Sequence, residues 1–256
     1  MRAYLSFFFL LLVSGTSRLL WRLRSAWIGD PPPHPWRQDI RICAILHHTS
    51  LYEPIFAGVP PASFLMRIAR HGVVPVAEKT LNRPVVGTFF KLVGNNVVPI
   101  TRKRDETWRQ VVSQAGPQSM IIILPEGRMK RRNGRDSEGK PMTVRGGIAD
   151  LLLAVEDGYM LIAYSGGLHH VQAPGERLPR LFKTVRMNLE LVDVRAYRER
   201  LLGEVGEEVF RRAVVSDMES RRDRFCPTEE TIIGRHGPVR PTGLEAIGLR
   251  EESDLD

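Results

Sequence analysis

Met120-Ile121-Ile122-Ile123-Leu124-Pro125-Glu126-Gly127 is a run of bulky apolar residues that ends at a turn. A short run of this kind, rich in β-branched side chains and closed by Pro and Gly, reads as a strand covered on both faces. The segments on either side of it have the helical period. Upstream, in Asp105–Gly116, Trp108, Val111, Val112 and Ala115 fall at i, i+3, i+4 and i+7, and Gly116-Pro117 supplies a stop. Downstream, Gly147–Asp157 places Ile148, Leu151, Leu152 and Val155 on one face. The alternation extends in both directions. Arg41–Leu46, Val73–Ala77, Val97–Thr101, Tyr159–Tyr164 and Thr184–Val194 read as strands, and Pro75 suggests an edge or a bulge for the second of them. Pro61–His71, Arg83–Val93 and most of Arg195–Arg224 read as helices. Strands separated by helices of this length predict an α/β fold, a mostly parallel central sheet flanked by helices.

The 256 residues are 43% hydrophobic and 26% charged, which excludes wholesale disorder and a polytopic membrane protein. Two cysteines are too few for a disulfide scaffold; Cys43 lies in an apolar strand and is expected in the core. Residues 227–256 carry 3 basic and 7 acidic side chains, which leaves the preceding part at +12. Such a body attracts an anionic partner. Nucleic acid is not expected, because no aromatic interleaving or reading helix accompanies the charge.

From Ala3 to Ser17 there is no charge, and Tyr4 to Val13 is almost wholly apolar. The run is short for a transmembrane span, which needs about 20 apolar residues. Arg18 to Trp27 mixes Arg with Leu and Trp, as an interfacial helix does, and Trp21, Trp27 and Trp36 read as candidate anchors. A secretory signal, with Arg2 as its basic start and Ser14-Gly15 near a cleavage site, and a buried helix of the domain are the competing readings. The expected organisation is an N-terminal membrane-association segment over 1–29, a Pro-rich linker over 30–38, a main domain over 39–225 and an acidic, loose tail over 226–256.

Three stretches carry chemistry. His47-His48-Thr49-Ser50-Leu51-Tyr52-Glu53 leaves the first strand of the main domain. Ligands collect at the carboxyl ends of strands in open α/β sheets. A turn can bring Glu53 onto one nitrogen of His48, which fixes the tautomer and makes the other nitrogen a base for a hydroxyl. The second stretch, Glu126-Gly127-Arg128-Met129-Lys130-Arg131-Arg132, places a glycine and several cations after the central strand and suits a phosphate. The third, Gly94-Asn95-Asn96-Val97-Val98-Pro99-Ile100-Thr101-Arg102, ends another strand with an Arg. His169-His170 lacks metal-ligand spacing with these groups, so no metal is expected.

Taken together, these stretches resemble the glycerolipid acyltransferase family, the PlsC-like or lysophosphatidic acid acyltransferase group, over residues 40 to 195. That family has His-x4-Asp, then a Gly-to-Arg strand motif, then Phe-Pro-Glu-Gly-Thr-Arg, in this order. Val144-Arg145-Gly146-Gly147 matches a further basic segment before a helix. Glu53 stands where the family has Asp, and Met129 where it has the phosphate-contacting Arg. The resemblance implies that His48 is the general base, that Glu53 orients it, and that Arg102 holds an acceptor phosphate. It implies that Glu126 and Gly127 shape the acceptor pocket, with Arg128 nearby as a substrate-binding cation. It further implies acyl transfer from acyl-CoA or acyl carrier protein, as substrate with no cofactor, to a lysophospholipid-type hydroxyl at the cytoplasmic face of a membrane rich in anionic lipids. A non-catalytic lipid-surface module, a non-glycerophosphate acceptor and a secreted hydrolase of the same scaffold are the alternatives.

Overall fold

The computed structural model describes residues 1–50, 52–93, 96–101, 103–131, 133–136, 138–176, 178–203, 206–228 and 232. In chain order the elements are α1 (Arg2–Leu20), β1 (Arg22–Trp27), β2 (Ile40–Leu46), α2 (Ala62–His71), β3 (Gly72–Ala77), α3 (Glu78–Leu81), α4 (Pro84–Val93) and β4 (Asn96–Ile100). They continue as α5 (Glu106–Ser113), β5 (Met120–Ile123), α6 (Gly147–Ala154), β6 (Tyr159–Gly166), α7 (Leu168–Val171), β7 (Thr184–Asp193), α8 (Val194–Leu202) and α9 (Glu207–Phe225). Single 3₁₀ segments occupy Pro35–Arg37 and Glu53–Gly58.

The strands form one seven-stranded sheet in the order β1-β7-β6-β2-β5-β3-β4. Every neighbouring pair is parallel except β6 with β7. The central strand is therefore β2, and the expected mostly parallel sheet is present. Pro75 is not at an edge. It pairs with Val98 in β4, but the pairing of β3 with β5 ends at Val73, so the missing N–H breaks no pair on the β5 side.

Helices cover both faces. On one, Trp108 and Val111 of α5, Ile148, Leu151 and Leu152 of α6, Tyr197 of α8 and Phe210, Val214 and Met218 of α9 pack on Ile42, Ala44 and Leu46. On the other, Trp21, Ile55, Phe56, Phe64, Leu168 and Val171 cover Ile40, Cys43, Leu161 and Ala163. Asp105 caps α5 by accepting from the Thr107 N–H at 3.0 Å, the N-cap role its residue type favours.

The N-terminal region differs from expectation. Residues 18–27 do not form an interfacial helix: α1 ends at Leu20, and Arg22–Trp27 is the edge strand β1, paired in register with β7 from Arg22↔Thr184 to Trp27↔Leu189. Its Leu23, Ala26 and Trp27 side chains are half-buried, and Leu23 and Trp27 pack on the Trp21 cluster, a tertiary contact that favours the strand. The tryptophans are packing groups. Trp21 is buried and donates its indole N–H to the Arg180 carbonyl at 3.0 Å. Trp36 lies between Trp27 and Phe64 at centroid distances of 5.4 and 5.0 Å. The Pro-rich stretch is likewise pinned, through Gln38 to the Pro33 carbonyl and Arg67 to the Gln38 carbonyl.

α1 is long and apolar enough to cross a membrane by length and composition. It packs on α2, α4 and the Glu53–Gly58 segment. Its polarity is inverted. Ser6, Leu10, Ser14 and Ser17 face the protein, while Leu5, Phe8, Leu12 and Leu19 are 61–76% exposed. Small hydroxyl residues permit close helix contact, and Ser17 satisfies its own Oγ on the Val13 carbonyl at 2.7 Å. Most of the expected acidic tail, and Gly94, Asn95, Arg102 and Arg132, lie outside the described residues.

Candidate active site

β2 ends at Leu46, and the chain turns sharply at His47. Its φ of +68° is left-handed, a region few non-glycine residues enter. Two bonds to the end of β6 hold it there: the Ser165 hydroxyl donates to the His47 carbonyl at 2.8 Å, and the His47 Nδ1 lies 3.0 Å from the Ser165 carbonyl. Burial pushes the His47 imidazole down to about 4, and Lys130, His169 and Arg222 push in the same direction. His47 is thus a neutral structural corner, and three cationic or basic groups surround it.

The next residue is held on three sides. The His48 N–H donates to Glu126 Oε2 at 2.7 Å, and the Lys130 N–H donates to the His48 carbonyl at 2.7 Å. Its ring Nδ1 lies 2.8 Å from Glu53 Oε1. Glu53 opens the 3₁₀ segment, and its Oε1 also accepts the N–H groups of Thr49 and Ser50, both at 3.1 Å. The two amides hold the carboxylate in place beside the imidazole. The His48 side chain remains 17% exposed and that of Glu53 9%, so the pair is sheltered, with the imidazole the more open partner.

The loop after β5 is tied into the protein by its charged side chains. Glu126 is 1% exposed, and its carboxylate is spent on the His48 N–H and on Arg222 Nη1 at 3.3 Å. Burial raises its pKa, and the His48 N–H and Arg222 oppose the rise. It supports His48 from behind. Gly127 has φ +62°, and an added Cβ would meet only Arg145 Cγ at 3.8 Å. The left-handed φ alone accounts for a glycine at this turn. Arg128 binds Asp136 and, at 2.9 Å, Glu138, so its guanidinium closes the 128–140 excursion. Hydrogen bonding to Arg128 holds the Asp136 carboxyl down at about 2.

His48, Glu53, Glu126 and Gly127 therefore converge, Arg128 is engaged elsewhere, and Arg102 lies outside the described residues. Sequence reasoning did not single out Lys130 or Arg222 as partners of this corner. Arg222 comes from α9, and nothing local marks it among its neighbouring arginines. Cys43 and Cys226 have thiols pushed up by burial, Cys43 to about 12, which makes them inert. Among the described residues no three His, Cys, Asp or Glu side chains form a group that could hold a metal ion. A shallow open groove of about 460 Å³ lies beside this loop, lined by Arg131, Asn133 and the Ala173–Glu176 turn.

No family model matches the chain, and no curated protein sequence matches it. Among solved structures, the 1-acyl-sn-glycerophosphate (LPA) acyltransferase PlsC from Thermotoga maritima is similar, with a TM-score of 0.52 and 15% identity over 84% of this chain and 79% of that one. This chain has the PlsC fold. The expected α/β architecture with an apolar N-terminal helix is thereby matched as a whole, beyond the individual strands.

Proposed function

We propose that this chain is a membrane-associated acyltransferase that moves an acyl group from acyl-CoA or acyl carrier protein to the hydroxyl of a lysophospholipid-type acceptor. One observation carries the reading: on the PlsC fold, at the carboxyl end of the central strand, the His48 imidazole meets the Glu53 carboxylate at 2.8 Å. With Nδ1 turned to Glu53, Nε2 takes the acceptor proton as the hydroxyl oxygen attacks the thioester carbonyl. The tetrahedral intermediate collapses, the C–S bond breaks, and the thiolate leaves with the proton returned by His48. No enzyme nucleophile is required. Glu53 orients the ring and stabilises the imidazolium that forms. The exposed apolar face of α1 and the basic body support action at the cytoplasmic face of an anionic membrane.

Arg102 is proposed as the acceptor-phosphate ligand, and Glu126 and Gly127 shape the acceptor side by holding the loop after β5. The engagement of Arg128 by Asp136 and Glu138 favours a second reading of the acceptor, a hydroxyl compound without a glycerophosphate head. Thiol release from acyl-CoA, followed with a panel of acceptors, tests both. His48→Ala is expected to abolish release with an unchanged circular dichroism spectrum. Undiminished release would remove His48 from the mechanism.

A further inference from the structure

The loop between α7 and β7 is built to hold apolar side chains out in water. Leu178 is 79% exposed and Phe182 63%, with Leu181 beside them. The loop is not slack. The Arg180 guanidinium ties to Glu176 and, at 3.2 Å, to the His170 carbonyl, and its own carbonyl accepts the Trp21 indole. Its N–H donates to Val171 at 2.7 Å. Phe182 is held at φ +59°, a conformation a bulky residue rarely adopts, and its ring stays largely exposed.

The loop is also stitched to α1 and β1. The Phe182 N–H donates to the Leu20 carbonyl at 2.7 Å, and the Arg22 N–H to the Lys183 carbonyl at 3.0 Å. Its apolar tip therefore continues past Leu19 the outward stripe of α1. Topology fixes where this surface sits. β6 is parallel to β2, and the loop joins the carboxyl end of β6 to the start of the antiparallel β7, so it lies at the His48 end of the sheet. Charge completes the picture. Arg22 and Lys183 are exposed, and residues 16–29 and 177–186 contain no acidic side chain.

We infer that residues 178–183 form a second membrane-inserting element, with Leu178, Leu181 and Phe182 in the acyl boundary and Arg22 and Lys183 on anionic headgroups. Apolar tips ringed by uncompensated cations match a bilayer surface in both hydrophobicity and charge. The inference rests on the membrane part of the reading above and is independent of the His48 chemistry. It would present the reactive end of the sheet to the surface that carries the acceptor.

Flotation of the full chain with phosphatidylcholine vesicles, with and without phosphatidylglycerol, tests it. The native chain is expected to bind the anionic vesicles more tightly. Leu178→Ser with Phe182→Ser should weaken that binding roughly tenfold, and Lys183→Ala about fivefold, with thermal midpoints unchanged. His48→Ala should bind as the native chain does, so loss of chemistry and loss of docking are read separately. A polarity-sensitive dye on Leu178→Cys should shift to the blue on vesicles; Cys43 is buried and Cys226 partly so, which directs labelling to the new thiol. Failure of the native chain to bind overturns both the docking surface and the membrane reading. Equal binding by the double variant, or a dye that stays in water on bound protein, overturns the loop's role alone. A change only in oligomeric state on Leu178→Ser with Phe182→Ser would identify a second copy as the occupant and overturn the bilayer.

Discussion

His47 and His48 are neighbours with opposite tasks, set by what each nitrogen meets. The burial that holds His47 neutral has a pH signature. Its folded pKa of about 4 lies below the ordinary 6.5, so the unfolded chain takes up this proton first as pH falls. The stabilisation is complete above 6.5 and disappears as pH drops to 4, with a ceiling of roughly 3 kcal/mol. Urea unfolding at stepped pH should show that slope, and His47→Asn, which tolerates a left-handed φ, should flatten it. The Arg128–Asp136 pair acts in a separate window. Asp136 is held at about 2, so its contribution is present above 3.8 and lost only as pH falls toward 2. For Glu53→Gln, the Thr49 and Ser50 amides still have an oxygen to donate to, so the turn should survive. The charge facing the imidazole is lost, and kcat should fall roughly a hundredfold with KM nearly unchanged, read by steady-state thiol release.

Among the elements, α5, α6 and α9 are joined through one carboxylate. Asp150 of α6 accepts the Trp108 indole at 2.8 Å and pairs with Arg211 at 2.9 Å, and both charged side chains are nearly buried. Asp150→Ala should destabilise the chain by about 3 kcal/mol, because it removes the buried counter-charge of the sheltered Arg211 guanidinium and leaves it only the exposed Glu207 at 3.5 Å. Denaturant midpoints measure this. Elements of this kind are readable in sequence where period and stop signals agree: β5 from its isoleucines, α5 from Trp108 and Val111, α2 from its arrest at Gly72. The same reasoning failed at Arg22–Trp27. Arg22-Leu23-Arg24-Ser25-Ala26-Trp27 is too short and mixed to separate a surface helix from an edge strand, and the partner that decides, Thr184–Leu189, is remote in sequence. The site divides in the same way. His48 and Glu53 are local and were legible; the Glu126–Arg222 support depends on tertiary approach, and the diversion of Arg128 to Asp136 on the path of an irregular loop that no periodicity marks.

At the scale of the molecule, charge and greasiness are placed separately. Residues 1–226 carry a net +12 and residues 227–256 a net −4, while the outward stripe of α1 is apolar. Substituting Phe8 and Leu12 by Ser should leave the unfolding transition in place, since those side chains bury little, and should reduce retention on vesicles. Flotation and calorimetry on one preparation would show both. The pairing of β1 with β7 has a consequence in time. During translation the first strand leaves the ribosome on the order of ten seconds before its register mate is made. Throughout that interval the nascent chain offers the cell an oily helix and an unclaimed strand edge, and a nearby lipid leaflet is the shelter whose chemistry suits them.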